Sequence, residues 1–205
     1  MKRILAFFTD CWRRLNWSTN YGTWLEMVLI MAVVPAMRWG NPQWFVEDGL
    51  IENMQLLVLA AGLVVAFKAT ENRPLFVLAA FVVMFMIIRE TNLFRGWFCE
   101  KYLSADELCK WSAFRYGWIA DAVRWLFVGY IAYYAWRKRL WRLLGDYVQK
   151  APIYVWDIAI LGLMMVGGTV AEFACVDNEI MEEECELIAY VALVNCIYRY
   201  RIWKV

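Results

Sequence analysis

Histidine is absent from this 205-residue sequence. With it go the commonest general base and the commonest zinc ligand. Ser-His-Asp and Cys-His nucleophilic arrangements are excluded, as is any site that needs imidazole. Basic patches are lacking outside short loops, which argues against a nucleic-acid partner. There is also no polar stretch with room for a separate soluble domain. Net charge is small, +1 from 21 basic and 20 acidic residues. That near-balance averages two oppositely charged faces.

Apolar residues make up 63% of the chain and aromatics 18%, against about 45–50% apolar in soluble domains. The excess falls in blocks of roughly 17–25 residues, the length that crosses about 30 Å of hydrocarbon. The expected fold is an all-α polytopic membrane helix bundle with six transmembrane helices. The spans run from about Gly22 to Arg38, interrupted by Pro35, then Asp48 to Phe67, Pro74 to Ile88, Gly117 to Trp136, Pro152 to Ala174 and Ile180 to Tyr198. Before them, Ile4, Leu5, Phe8, Cys11, Trp12 and Leu15 recur at helical spacing among Lys2, Arg3, Arg13 and Arg14. This reads as a basic amphipathic helix on the membrane surface. The chain thus divides into an interfacial segment, 1–20, and a single six-span domain, 21–205.

Charge sorts the connections. Fifteen of the 20 acids fall at one end of the spans and fourteen of the 21 bases at the other. The positive-inside rule puts the basic end, with both termini, in the cytoplasm. Trp12, Trp17, Trp39, Trp44, Trp97, Trp111, Trp136 and Trp141 fall near span ends, as an aromatic belt requires. Cys99, Cys109, Cys175 and Cys185 all lie towards the outer, oxidising face. Cys99–Cys109 with Cys175–Cys185 is the simplest of three pairings. The competing reading makes all six cysteines small buried apolar residues.

Carboxylates concentrate at the outer span ends. Asp48, Glu52 and Gln55 share a helix face, as do Glu183, Glu186 and Tyr190. Glu172 sits near the outer end of span five, where Gly162, Gly167, Gly168 and Ala171 allow close helix approach. Asp121 and Arg124 lie inside span four, and Arg89-Glu90 ends span three. Helix dipoles and solvation account for many outer acids, Glu179 and Glu184 among them. They account less well for Glu52, Glu172, Glu183 and Glu186, because a lipid-facing carboxylate is costly. These acids are expected to face the bundle interior, towards Arg89, Arg124 or a cation. A histidine-free carboxylate set suits Ca²⁺, Mg²⁺ or Mn²⁺, and an organic cation is the second option. Near the basic end, Glu26 and Asp157 are expected to snorkel or to pair with a nearby arginine.

The strings Glu47-Asp48-Gly49-Leu50-Ile51-Glu52-Asn53-Met54-Gln55, Arg89-Glu90-Thr91-Asn92 and Glu183-Glu184-Cys185-Glu186-Leu187 resemble motifs of uncharacterised bacterial multi-spanning inner-membrane proteins. The resemblance covers about residues 47 to 190. It implies a bacterial inner-membrane location and groups Glu52, Arg89, Glu90, Glu183 and Glu186 as one constellation. It implies no activity.

Three functions remain open. The first is an outward-facing site made of Asp48, Glu52, Glu90, Asp121, Glu172, Glu183 and Glu186 with Arg89 and Arg124. It would bind a divalent cation or a cationic small molecule in transport or sensing. The second is a metal-assisted hydrolase or transferase acting on a lipid or lipid-linked substrate. The third is an accessory protein that contacts a membrane-protein partner.

Overall fold

The computed structural model describes residues 9–41, 44, 49–90, 117–173 and 179–203. Seven helices carry the fold: α1 (Tyr21–Trp39), α2 (Leu50–Phe67), α3 (Arg73–Glu90), α4 (Gly117–Arg137), α5 (Leu140–Lys150), α6 (Val155–Phe173) and α7 (Glu179–Tyr200). The fold class is all-α. A helical turn at residues 9–13 precedes them. The sole extended pairing among the described residues is short: β1 (Leu15–Asn16) runs parallel to β2 (Ile153–Tyr154), with Leu15 opposite Ile153 and Asn16 opposite Tyr154. Six of the helices occupy the six apolar blocks.

Local signals explain several boundaries. Asn20 starts α1 by accepting from Thr23 N at 2.8 Å, while Thr23 Oγ1 accepts from Asn20 N at 3.3 Å. This is a capping box with threonine in place of the usual glutamate. Pro35 does not interrupt the helix, contrary to the expected break. It lacks one N–H and leaves one backbone acceptor unused, yet α1 continues to Trp39 and closes with Gly40 N donating to Ala36 O at 2.7 Å. The turn into α3 passes through Asn72, whose φ is 46°, a left-handed conformation that asparagine tolerates. Its side chain donates to Tyr147 Oη at 3.0 Å and to Trp203 O at 3.3 Å. Burial raises the Tyr147 hydroxyl above the ordinary phenol range, with the Asn72 bond acting the other way.

Helix α5 lies where the sequence suggests only a basic loop. Leu140, Leu144, Tyr147 and Val148 recur at i, i+4, i+7 and i+8, with Arg142, Asp146, Gln149 and Lys150 on the other side. Such a helix has one apolar stripe to cover, and Leu140 and Tyr147 are buried.

Helix α7 is the hub. One face packs Tyr190 and Ile197 with Leu59 and Ala66 of α2 and with Phe76, Ala80 and Val83 of α3. The other face packs Ile188 and Ala192 with Ile160 of α6, and Met27 and Ile30 of α1 lie against them. By contrast, α4 contacts α3 through a ring cluster in which Phe81 meets Phe127, Tyr130 and Tyr134 edge-on at 6.3, 5.5 and 5.4 Å.

The α2–α7 approach depends on Gly62. A Cβ there would lie 2.7 Å from Val194 Cγ2, with Val83 Cγ1 behind it at 3.7 Å. Valine is stiff at χ1 and cannot swing away freely. Replacing Gly62 by Ala is therefore expected to cost about 1–3 kcal/mol, read as a lower thermal midpoint of the detergent-purified protein. An unchanged midpoint would mean that the two backbones are farther apart than described.

Among the described residues, one helix, Leu50–Phe67, is by itself long and apolar enough to cross a membrane. Two others carry charge at their ends, Arg73, Arg89 and Glu90 on α3 and a run of glutamates on α7, while α6 is apolar over the shorter stretch Val155–Ala171.

Candidate functional site

Two polar clusters occupy opposite ends of the bundle, and α7 contributes to both. The acidic cluster joins α2, α3 and α7. Arg89 Nε contacts Glu90 Oε1 at 3.0 Å, and Arg89 Nη2 also pairs with Glu186 Oε1. Tyr190 Oη donates to the same Glu90 oxygen at 2.6 Å. One turn of α7 back towards its start, Gln55 Nε2 donates to Glu183 O at 3.0 Å and to Glu183 Oε2 at 2.8 Å. Glu52 lies within electrostatic reach of Glu183.

Gln55 is the informative member. It is 0% exposed. Both neighbours of its amide nitrogen are acceptors, so the NH₂ group must face them. That leaves Oε1 buried with no hydrogen-bond partner among the described residues. A buried acceptor without a donor carries a desolvation penalty of about 1–3 kcal/mol. Glu183 likewise meets no cation at ion-pairing distance among the described residues. The cluster therefore offers a bare carbonyl oxygen beside a carboxylate, which suits a positively charged hydrogen-bond donor.

The sequence-expected site is brought together in part. Arg89, Glu90, Glu183 and Glu186 meet as the motif grouping implies, with Glu52 nearby. Asp48 lies outside the described residues, as do the side chains of Asp121 and Glu172. Arg124 is half-buried on α4. Among the described residues, no group of three or more acidic or cysteine side chains is arranged to hold a metal ion.

Several expectations need correction. Cys185 is a free thiol among the described residues, and its expected partner Cys175 lies outside them. Its Sγ lies 3.1 Å from the Cβ position of Gly167, on the α6 face of α7. Gly167 thus serves close helix approach, whereas Gly162 has nothing within 4 Å. Cys99, Cys109 and Cys175 lie outside the described residues. Glu184 is not a solvated acid. It is buried, and its Oε2 has no hydrogen-bond partner among the described residues.

At the basic end, Glu26 and Asp157 do not snorkel, since both are fully buried. Arg199 Nη1 pairs with Asp157 Oδ2 at 2.7 Å, and Thr23 Oγ1 donates to Asp157 Oδ1 at 2.6 Å. Arg199 also donates to Ser18 O at 3.0 Å and to Ser18 Oγ at 2.6 Å, and its guanidinium lies 3.6 Å from the Tyr154 ring centroid. Asn195 donates to Glu26 Oε1 at 2.8 Å and exchanges amide bonds with Asn20 at 2.8 and 3.1 Å. Gly22 makes room for this, because a Cβ there would sit 2.4 Å from the Asn195 amide. Sequence reasoning missed Ser18, Asn20, Thr23, Asn195 and Arg199. The available signal was Asn195, an amide within an otherwise apolar run.

The arginine at each end balances unequal loads. Arg199 serves one carboxylate, Asp157, and leaves Glu26 with an amide. Arg89 serves two carboxylates and leaves Glu183 with an amide. No protein-family model matches the chain, and neither a curated protein nor a solved structure is significantly similar to it.

Proposed function

We propose that the chain is a six-span protein of the bacterial inner membrane, with both termini cytoplasmic, that binds a cationic N–H-bearing group at the outward-facing Gln55–Glu183 cluster. Three observations support the membrane placement. Large apolar side chains point outward around the bundle: Trp24, Val28, Met31 and Val34 on α1, Trp125 and Leu126 on α4, and Leu163, Val166 and Val170 on α6. Exposed apolar surface of that extent marks a membrane or protein contact. The helices alternate in direction, since α2 and α7 start where α3 ends. Finally, acids gather at that end, and Arg14, Arg139, Arg142, Lys150 and Arg199 gather at the other, which the positive-inside rule makes cytoplasmic.

The observation that carries the ligand class is the buried, donor-seeking Oε1 of Gln55 beside the Glu183 carboxylate. A bare divalent ion needs six or more oxygens. A primary ammonium needs an acceptor for each of three protons and one carboxylate for its charge. The cluster supplies the Gln55 carbonyl and the Glu183 carboxylate towards the second requirement, so the site suits an amine head group or a small amine, held in a transport or sensing cycle.

The test is thermal stabilisation of the detergent-purified chain by ethanolamine or putrescine, set against Mg²⁺, Ca²⁺ and Mn²⁺. The amines are expected to raise the midpoint in a concentration-dependent way. Glu183→Gln and Gln55→Leu are each expected to abolish that rise. If neither an amine nor a divalent ion shifts the midpoint, the binding reading fails.

A further inference from the structure

At the basic end, the N-terminal segment is clamped to α5. Ile153 N donates to Arg14 O at 2.9 Å beside the β1–β2 pair. Arg14 Nη1 donates to Val148 O at 2.5 Å and to Ala151 O at 3.3 Å, satisfying carbonyls at the end of α5. Beside the clamp lie two open cavities of opposite character. One, of about 500 Å³, runs between α3, α5 and α7 and is walled by Ala79, Val82, Leu144, Val148, Leu193 and Ile197. The other, of about 400 Å³, is lined by Arg13, Arg14, Asn16, Trp17, Lys150 and Trp203. Arg14 and Pro152 line both, so the cavities meet there.

The basic cavity has cations to spare. Arg13 is exposed and makes no hydrogen bond or ion pair among the described residues. Lys150 meets only Asp146 on its own helix, at 3.5 Å and with both side chains substantially exposed, a pairing worth little. The apolar cavity has the opposite deficit. Its walls are mainly apolar, with Phe76, Tyr147 and Tyr200 among the aliphatic side chains, and its volume lies within the range of ligand pockets, about 300–1,000 Å³.

We propose that the two cavities form one site for an anionic phospholipid of the cytoplasmic leaflet, with an acyl chain between α3, α5 and α7 and the phosphate among Arg13, Arg14 and Lys150. Charge complementarity argues for this occupant, since a basic pocket on the cytoplasmic side of a helix bundle recognises anionic head groups. Geometry argues for it too. The two cavities share Arg14 and Pro152 in their linings, so an acyl chain in the apolar one would place its head group beside the basic one. Trp17 and Trp203 stand beside the head-group position, at the depth where indoles favour the membrane interface. The site differs from the Gln55–Glu183 cluster in location, charge and ligand. It rests on the bilayer reading for the source of its lipid and for the side and depth at which the basic cavity lies.

The experiment compares phosphatidylglycerol with phosphatidylcholine, by native mass spectrometry and by thermal shift of the full chain in a neutral detergent. Phosphatidylglycerol is expected to bind more tightly. Arg13→Gln with Lys150→Gln is expected to weaken it by about 30-fold, at about 1 kcal/mol per basic residue, and to weaken the zwitterionic phosphatidylcholine less, so that the preference between the two lipids shrinks. Ala79→Phe, which fills the apolar cavity, is expected to reduce binding of both lipids. Equal affinity for the two lipids overturns the proposal, as does phosphatidylglycerol binding indifferent to the Arg13/Lys150 pair. Inorganic phosphate stabilising as well as the lipid would show that the apolar cavity takes no part, which also overturns it. Failure of the bilayer reading has its own signature, because alkaline carbonate would then extract the chain from membranes.

Discussion

Replacing Arg199 by Met is expected to cost about 3–5 kcal/mol, the penalty for leaving a buried partner charge uncompensated. Asp157 is fully buried, and Arg199 is the only cation at ion-pairing distance from it among the described residues. Total stabilities run about 5–15 kcal/mol, so the loss approaches unfolding. Arg199→Lys is not expected to rescue the fold. The guanidinium reaches Asp157 and the backbone oxygen of Ser18 through Nη1, and the Ser18 hydroxyl through Nη2. An ammonium cannot reproduce that planar fork. Adding Asp157→Asn to the Arg199→Met chain is expected to recover part of the loss, because it removes the orphaned charge. Thermal midpoints of the three variants and their double-mutant cycle would measure this. Additive losses would mean that the pair does not act as a unit.

The next largest effect is expected at Leu59, which is 0% exposed against Val83, Ala80 and Tyr190. Leu59→Ala is expected to cost about 2–5 kcal/mol. The loss includes the dispersion contacts that the removed methyl groups made with their neighbours. Leu57, two residues away on the same helix, is 71% exposed. Leu57→Ala is expected to stay within about 0.5 kcal/mol. Unfolding both variants in parallel reads the difference directly. Similar losses would mean that α2 does not turn its Leu59 face towards α7.

Much of the fold is readable in the sequence because long apolar runs leave few alternatives. The run expected from Asp48 to Phe67 is α2 from Leu50 to Phe67, and the run from Pro152 to Ala174 is α6 from Val155 to Phe173. Helix α5 is less legible. Arg137, Lys138, Arg139 and Arg142 present it as a charged connection, and only the spacing of Leu140, Leu144 and Tyr147 reveals its stripe. The acidic cluster is legible in part because its members sit at helix ends, on faces that simple spacing predicts. The decisive property of Gln55, a carbonyl with no donor, depends on which atoms of Glu183 stand opposite, and spacing carries no such information. The basic-end network draws on residues 18, 20–26, 154–157 and 195–199, and no local pattern joins them. Cys185 shows the same limit: its position on an outer helix end suggests oxidation, while the actual contact is with the backbone at Gly167.

The placement of α7 also bears on biogenesis. Every helix it packs against precedes it in the chain, so those helices leave the ribosome before their shared neighbour exists. Until α7 arrives, Asp157 has no counter-ion from Arg199, Glu26 no amide from Asn195, and Arg89 no Glu186. The bundle thus cannot mature from its beginning forward. Those polar groups gain their native partners only when the latest-made neighbour arrives. A chain stalled before residue 179 would present several unmet polar groups at once, Asp157, Glu26 and Arg89 among them.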